Sequence, residues 1–516
     1  MNVPSSSAKT QPAPLCQRIA RATLALCLAC LQVCWPVGAW AQPLPTLGDS
    51  ADMSTSAERR LGDRIAAQIF QDSDYLDDPV LMDYVQGIWS KLMVAARSKG
   101  DLSDELDDTF AWTIVLDRDR TVNAFALPGG YMGVNLGLIA VVSSEDELAS
   151  VLGHELSHIT QRHISRLIGR QSAQGPLLLA AMILGAMAVG SNPQAASAMI
   201  VGGQAAAIQG QLNFSRDMER EADRVGYGVM TQAGYQPQGF VTMFEKLQQA
   251  NRFNDTGGFP YLRSHPMTTE RIADMQTRQQ LLPDPVPTRL TMLHALIAAR
   301  ARVLSTPKSE NLLPIVEQAF APGYDKLSVE QQAGVLYGAL LAGGKLKVLS
   351  RVWPLYATLQ GMTATDARSS KLVRWLGEEV ALADNDIPKA QRLMATDEPD
   401  QASRAGLFLW AQIATPSSPQ RVTQQMQTWI ANHPKDAPAW LLLAGAYAVQ
   451  GKQVQAVRAE AESFAVTMNY SAAQNRFKAA QDLLRQSKDV DHIEASIIDT
   501  RKRQIDSLLR EQALER

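Results

Sequence analysis

The sequence predicts a mostly helical α+β domain with a small β-sheet, followed by an all-α solenoid of tetratricopeptide type. Three observations lead there. Apolar residues recur at helical spacing over most of the chain, the stretch 110–135 switches to strand chemistry around a Gly-rich turn, and no strand signal remains beyond Pro283-Asp284-Pro285-Val286-Pro287. With 516 residues the chain has material for about three or four domains.

The first 41 residues read as a secretory signal peptide. Lys9, Arg18 and Arg21 make a basic start, Ala22 to Leu31 is an apolar run, and Ala39-Trp40-Ala41 satisfies the small-x-small rule, so cleavage is expected before Gln42 and the mature protein is expected to be exported. All four cysteines, at positions 16, 27, 30 and 34, would leave with that segment, which excludes a cysteine nucleophile or thiolate ligand in the mature chain. A formal charge of −3 shows no basic footprint, so nucleic acid is excluded as a partner.

Two helices are expected over 54–97, from the spacing of Leu61, Ile65 and Ile69 and then of Val80, Leu81, Tyr84, Val85, Ile88 and Leu92, the second opening at Asp77-Asp78-Pro79. Phe110 to Leu116 reads as a strand. Asn123-Ala-Phe-Ala-Leu and Tyr131-Met-Gly-Val-Asn read as a further pair around Pro128-Gly129-Gly130. Ser144 with Glu147 forms a capping-box pattern that opens a helix expected to run from Glu145 to Ile168. Residues 176–210 are almost free of charge, but each half is shorter than the roughly 20 residues that span a bilayer. A buried helix pair, a lid over a cleft and a membrane-surface hairpin all remain open readings. Helices are expected again over 216–233 and 238–250.

The domain plan is therefore a signal peptide at 1–41, a catalytic domain at 42–285 and a helical repeat domain at 286–516. In the last, Trp440, Leu443, Ala444, Tyr447 and Ala456 keep tetratricopeptide spacing, with Pro434 where a preceding repeat would end. Helix pairs of this kind cannot bury their faces alone and must stack, leaving either a partner-binding surface or a structural support.

Chemistry is concentrated at His154-Glu155-Leu156-Ser157-His158. Positions four apart share a helix face, so both imidazoles can reach one metal ion, and Glu155 beside the first can take a proton from water at that ion. A catalytic zinc needs a third protein ligand. His163, nine residues after His154, is expected to face away on the same helix. The metzincin pattern is absent, with Gln161 in place of its Gly and Ile164 in place of its third His. The helix at 215–223 offers Glu219 and Asp223 on one face: Glu219 could bind the metal while Asp223 accepts the free ring N–H of a ligand His. Glu221 is expected to point roughly opposite. Arg271, six residues after His265, reads either as a cation for an oxyanion or as a surface helix residue.

His154-Glu-Leu-Ser-His158 followed by Glu219-Arg-Glu-Ala-Asp223 resembles the gluzincin family of the HtpX and CAAX prenyl proteases, and Asn123-Ala-Phe-Ala-Leu-Pro-Gly-Gly130 and Ser264-His265-Pro266-x-Thr-x-x-Arg271 match further family blocks. The resemblance covers about residues 55–280. It implies a zincin-type metalloprotease holding one zinc through His154, His158 and Glu219, with Glu155 as catalytic base, Asp223 behind a ligand His, and His265 near the zinc as a possible fourth ligand or latch. It also implies substrates among unfolded or misassembled outer-membrane proteins, and an engagement of the barrel assembly machinery through the helical repeats. A chaperone that keeps its protease site latent is the alternative. The resemblance leads one to expect a disulfide between the two halves, which the mature chain has no cysteine to make.

Overall fold

The two helices that lead into the sheet begin with local signals. Ser54 caps α1 (Thr55–Ile69) by accepting the Ala57 N–H. Asp78 caps α2 (Pro79–Lys99) by accepting the Leu81 N–H at 2.9 Å, with Pro79 at the first helical position and Gly100 ending the helix at φ 75°. The computed structural model describes residues 53–169, 216–252, 258–280, 289–306, 308–394, 399, 403–487 and 491–514. The expected signal peptide, the uncharged stretch 176–210 and the Pro-rich 283–287 lie outside the described residues.

After a short β1 (Tyr75–Leu76), α2 and α3 (Asp104–Thr109) come the strands β2 (Thr113–Asp117), β3 (Ala124–Leu127) and β4 (Tyr131–Asn135). The expected strand at 110–116 thus sits slightly later, because Phe110 caps α3 and Trp112 takes a positive φ of 48° before β2 begins. The sheet order is β1-β2-β4-β3. β4 pairs parallel with β2 (Val115 opposite Gly133) and antiparallel with β3 (Phe125 opposite Gly133), so β3 is an edge. The β3–β4 turn is a 3-10 turn, Pro128–Gly130, with Gly129 at φ 71°. A Cβ there would lie 2.8 Å from Arg59 Cα, so only glycine suits both the backbone and the close pass of α1.

α4 (Leu136–Val141) leads to α5 (Glu145–Thr160). Ser144 accepts the Glu147 N–H, as the sequence announces, while the Glu147 carboxylate reaches past the cap to the Ser143 N–H at 2.7 Å instead of closing the box on Ser144 itself. The helix expected to continue to Ile168 ends at Thr160. Arg162 takes φ 52°, and a separate α6 (His163–Gly169) follows. α7 (Arg216–Gln232), α8 (Gln238–Arg252), the single-turn α9 (Tyr261–Ser264) and α10 (Thr269–Gln280) complete this half.

α5 and α7 cross in close contact at Gly153 and Gly226. A Cβ on Gly226 would sit 2.9 Å from the carbonyl carbon and oxygen of Gly153 and from the His154 nitrogen, all backbone atoms that cannot rotate aside. Gly226→Ala is therefore expected to force the helices apart at a cost of about 1–3 kcal/mol, read as a lower urea midpoint of the metal-free full chain. Gly445→Ala, where a Cβ meets nothing within 4 Å, is the control expected to be neutral or slightly stabilising.

α11 (Met292–Leu304), the first helix after the Pro-rich stretch, packs into the same hydrophobic core, which runs without a break from Leu61 to Ala405. Its His294 is fully buried: Nε2 donates to the Val142 carbonyl at 2.8 Å, so Nδ1 accepts from the Tyr84 hydroxyl at 2.6 Å. The tail continues through α12 (Leu313–Gln318), α13 (Val329–Leu346), α14 (Leu349–Thr363), α15 (Ala367–Ala383), α16 (Ile387–Leu393), α17 (Arg404–Ala414), α18 (Pro419–Asn432), α19 (Ala437–Val449), α20 (Gln453–Val466), α21 (Tyr470–Gln486) and α22 (His492–Leu514). From α18 onward each helix packs on the next, around two smaller cores. No helix among the described residues is long and apolar enough to cross a membrane.

Candidate metal centre

α5 lies between β3 on one side and α7 and α8 on the other, so its functional face is closed off from solvent. His154 and His158 are 2% and 0% exposed, and Glu219 on α7 and His265 at the end of α9 are equally buried. The ligand atoms of these four residues lie within 4.8 Å of one another. His154 Nε2 is 3.0 Å from His158 Nε2, 3.3 Å from His265 Nδ1 and 3.6 Å from Glu219 Oε2. Glu219 Oε1 is 3.4 Å from His158 Nε2 and 3.0 Å from His265 Nδ1. A tetrahedral ion with bonds of about 2.0–2.1 Å sets its ligand atoms about 3.4 Å apart, so this donor set fits one such ion.

The groups also carry the charges a metal site needs. Burial pushes the His158 imidazole well below its ordinary range, so its ring stays neutral with a lone pair to give. Burial alone would raise the Glu219 carboxyl, but the His265 and Arg271 charges outweigh it and hold Glu219 well below its usual range, as a carboxylate. Glu155 turns to the sheet: its Oε2 accepts the Ala126 N–H of β3 at 2.9 Å. Its Oε1 is buried without a hydrogen bond, 3.4 Å from His265 Nε2.

His265 is held from several sides. Its own N–H donates to the Tyr261 carbonyl at 2.9 Å, and its ring stacks on the Tyr261 ring at 4.4 Å and 25°. The carbonyl of Pro266 accepts from Arg271 Nη1 at 3.0 Å. The stacking by Tyr261, four residues before His265, is a feature the sequence reading passed over.

Asp223 Oδ1 stands 2.9 Å from His154 Nδ1, behind the first ligand. Arg271 differs from both of its sequence readings. It is 2% exposed, its fork donates to Asp223 (Nε to Oδ2 2.6 Å, Nη2 to Oδ1 2.8 Å), and its Nη1 forms an ion pair with Glu219 Oε2 at 2.7 Å. With its donors turned to these carboxylates and to Pro266, it braces the site from behind and does not present a free cation to an oxyanion.

His163 lies elsewhere than expected, whereas Glu221 points away from the Glu219 face as expected and meets His163 there. The break at Arg162 turns His163 back against the motif helix, so that its Nδ1 lies 2.8 Å from His158 Nδ1 and its Nε2 lies 3.1 Å from Glu221 Oε2. Arg166 holds the same Glu221 oxygen at 3.0 Å. A positive φ at an arginine has no sequence marker such as glycine, so only the structure reveals the turn.

A buried helix carrying His-Glu-x-x-His, closed by a carboxylate from a second helix, defines a metallopeptidase of gluzincin type. The chain belongs to peptidase family M48, whose pattern matches residues 84–279. It is 27% identical over 436 residues to the beta-barrel assembly-enhancing protease of Escherichia coli, covering 83% of this chain and 84% of that one. A Vibrio cholerae protein provisionally given the same name is 30% identical over 338 residues, 65% of this chain and 67% of the relative. The mitochondrial metalloendopeptidase OMA1 of Saccharomyces cerevisiae is 28% identical over 199 residues, 37% of this chain and 54% of that protein.

Proposed function

We propose that this chain is a zinc-dependent endopeptidase of the periplasm, exported by residues 1–41, that acts in the quality control and assembly of outer-membrane proteins. The observation that carries the activity is the buried cluster of His154, His158, Glu219 and His265 beside Glu155. The link to barrel assembly is supported by the names of the bacterial relatives, and export by the signal-like pattern of residues 1–41. In this reading residues 42–285 hold the protease, and the tetratricopeptide-like helices of 286–516 engage unfolded or misassembled outer-membrane proteins and the barrel assembly machinery.

His154, His158 and Glu219 would hold the metal, and zinc bound there would supply Lewis acidity, lowering the pKa of water to about 7 and polarising the scissile carbonyl. Glu155 Oε1, the carboxylate oxygen without a hydrogen bond, receives the proton of the attacking water and passes it to the leaving amine. Oε2 stays on the Ala126 N–H, which fixes the carboxylate's orientation. The sheet edge beside it is β3, Ala124–Leu127, and an extended peptide adds along that edge. Asp223 Oδ1, 2.9 Å from His154 Nδ1, pairs with that nitrogen and so directs Nε2 toward the metal site, with Arg271 as a positioning residue behind it.

His265 gives this reading a resting state. With four protein donors a metal bound there would have a closed site with no position for water, so the protease would be latent, as the chaperone reading requires, until the loop around Pro266 moves. Purified full-length protein is expected to contain about one zinc per chain by elemental analysis, and Glu219→Ala to lose it. His265→Ala is expected to keep zinc through the other three ligands and to cleave casein and itself faster than wild type. Unchanged activity with unchanged zinc in His265→Ala would remove the latch, and zinc retained in full by Glu219→Ala would remove the ligand set.

A further inference from the structure

The two imidazoles of the motif are backed differently. His154 Nδ1 meets a carboxylate directly, Asp223 Oδ1 at 2.9 Å. His158 meets another imidazole, with His163 Nδ1 at 2.8 Å from its Nδ1, and that imidazole in turn meets a carboxylate, with Glu221 Oε2 at 3.1 Å from His163 Nε2. Both carboxylates come from α7, the helix that carries Glu219.

The proton positions along this chain follow from the partners. Glu221 as a carboxylate only accepts, so the proton facing it is on His163 Nε2. A neutral His163 then has a bare Nδ1, which can only accept, so the proton between the two rings is on His158 Nδ1. That leaves the lone pair of His158 on Nε2, the atom turned toward His154 and Glu219. A direct contact is out of reach for Glu221. Two residues from Glu219 it is turned about 200° round α7, and the His163 ring spans that gap.

Continuous helix would not deliver His163 there, since five residues carry it about 140° round from His158. The break at Arg162 does. That residue is fixed in its positive φ by the buried Glu58 of α1, whose Oε2 accepts from Arg162 Nε at 3.1 Å, by Ser165 Oγ at 3.1 Å, and by the Met53 carbonyl. Arg166 then holds Glu221.

We infer that His163 is a positioning residue for the metal ligand His158, relaying its Nδ1–H to Glu221 and so setting both the tautomer and the ring plane of His158. The inference rests on the metal-site reading above. Outer partners of this kind are worth roughly 10–100-fold in metal affinity.

The test uses the full-length chain, zinc affinity by competition with a chromophoric chelator, and the visible spectrum of the cobalt(II)-substituted protein. His163→Leu is expected to bind zinc roughly 10–100-fold more weakly and to shift the cobalt bands. His163→Gln, whose amide accepts at one end and donates at the other, is expected to recover most of the affinity. Glu221→Ala, which leaves His163 itself in place, is expected to fall between wild type and His163→Leu. Wild-type affinity and an unchanged cobalt spectrum in His163→Leu would overturn the inference. So would an equal loss in the Leu and Gln variants matched by an equal loss of metal-free stability in urea, which would mark His163 as a packing residue only. Failure of the wild-type chain to bind one zinc would instead overturn the metal centre itself.

Discussion

Glu155→Gln is expected to keep its metal and to lose at least about 10²–10⁴-fold in the rate of cleaving casein or an unfolded porin, the usual contribution of a general base. The substitution is nearly isosteric. Its amide oxygen still accepts the Ala126 N–H that Glu155 Oε2 accepts at 2.9 Å, so β3 and α5 keep their contact. What disappears is the second oxygen, the one facing His265 without a hydrogen bond, and with it the only place in this carboxyl for a proton taken from water. Because none of the four clustered ligand atoms belongs to Glu155, zinc content is expected to match wild type. Full activity in this variant would rule out the mechanism, whereas loss of both zinc and activity would place Glu155 among the ligands.

Arg300→Met is expected to be the most destabilising single change away from the metal centre, at about 3–5 kcal/mol near neutral pH. Arg300 on α11 grips the Asp78 carboxylate with Nε at 2.8 Å and Nη2 at 2.7 Å, and reaches Glu379 of α15 with Nη1 at 2.7 Å. Asp78 is itself the cap of α2. Burial alone would raise its carboxyl, but the Arg300 charge and hydrogen bonds outweigh that and leave it below its ordinary value. A depressed folded value means that the pair's stabilisation is fully present above the unfolded value near 3.9 and is lost as pH falls through the folded one. Without Arg300 the sign reverses. Burial then dominates, the folded value lies above the unfolded one, and the deficit in the variant is expected to shrink as the pH is lowered toward 4. Urea unfolding of both chains between pH 4 and 8 measures this. A deficit independent of pH would mean that Arg300 acts by packing, and the double variant Arg300→Met/Asp78→Asn is expected to recover a large part of the loss.

Arg300 is not alone in this role. Arg404 of α17 grips Asp77 with Nη1 and Nη2 at 2.6 and 2.8 Å and Asp436 with Nε at 2.8 Å, and Asp83 of α2 accepts from the Ser403 hydroxyl at 2.7 Å and the Ala405 N–H at 3.0 Å. Two arginines more than 200 residues downstream therefore close on Asp77-Asp78, which the sequence presents only as a helix start.

Local chemistry was legible where its cause is local. Caps at Asp78 and Ser144, the glycines of the β3–β4 turn and the four-residue spacing of His154 and His158 depend on neighbours within one turn of chain, so residue type and spacing suffice to read them. The same holds for Glu219 and Asp223, whose shared face follows from helix geometry alone. Other features depend on partners remote in sequence. β4 inserts between β2 and β3 and pairs parallel with β2, a partner that is not its neighbour in sequence, and neither β1 nor the order β1-β2-β4-β3 has a sequence signature.

From the sequence alone follow the two helices of 54–97, the strand pair around the Gly-rich turn, the start of α5, the helices near 216–233 and 238–250, the metal-binding motif and the carboxylates set opposite it, because periodicity and capping are properties of a single segment; β1, α3, α4, α9 and α10 do not. Only the tertiary structure decided what those residues face. It ended the motif helix at Thr160 and turned His163 behind His158, since the left-handed Arg162 is held by Glu58 from another helix. It buried Arg271 against Asp223 and Glu219, where two desolvated carboxylates require a cation. And it drew α11 to α15 into one core with the catalytic half, because an apolar face such as that of Leu293, Leu296, Ile297 and Val303 is buried against whichever surface the fold brings to it, and a Pro-rich stretch in the sequence does not say which.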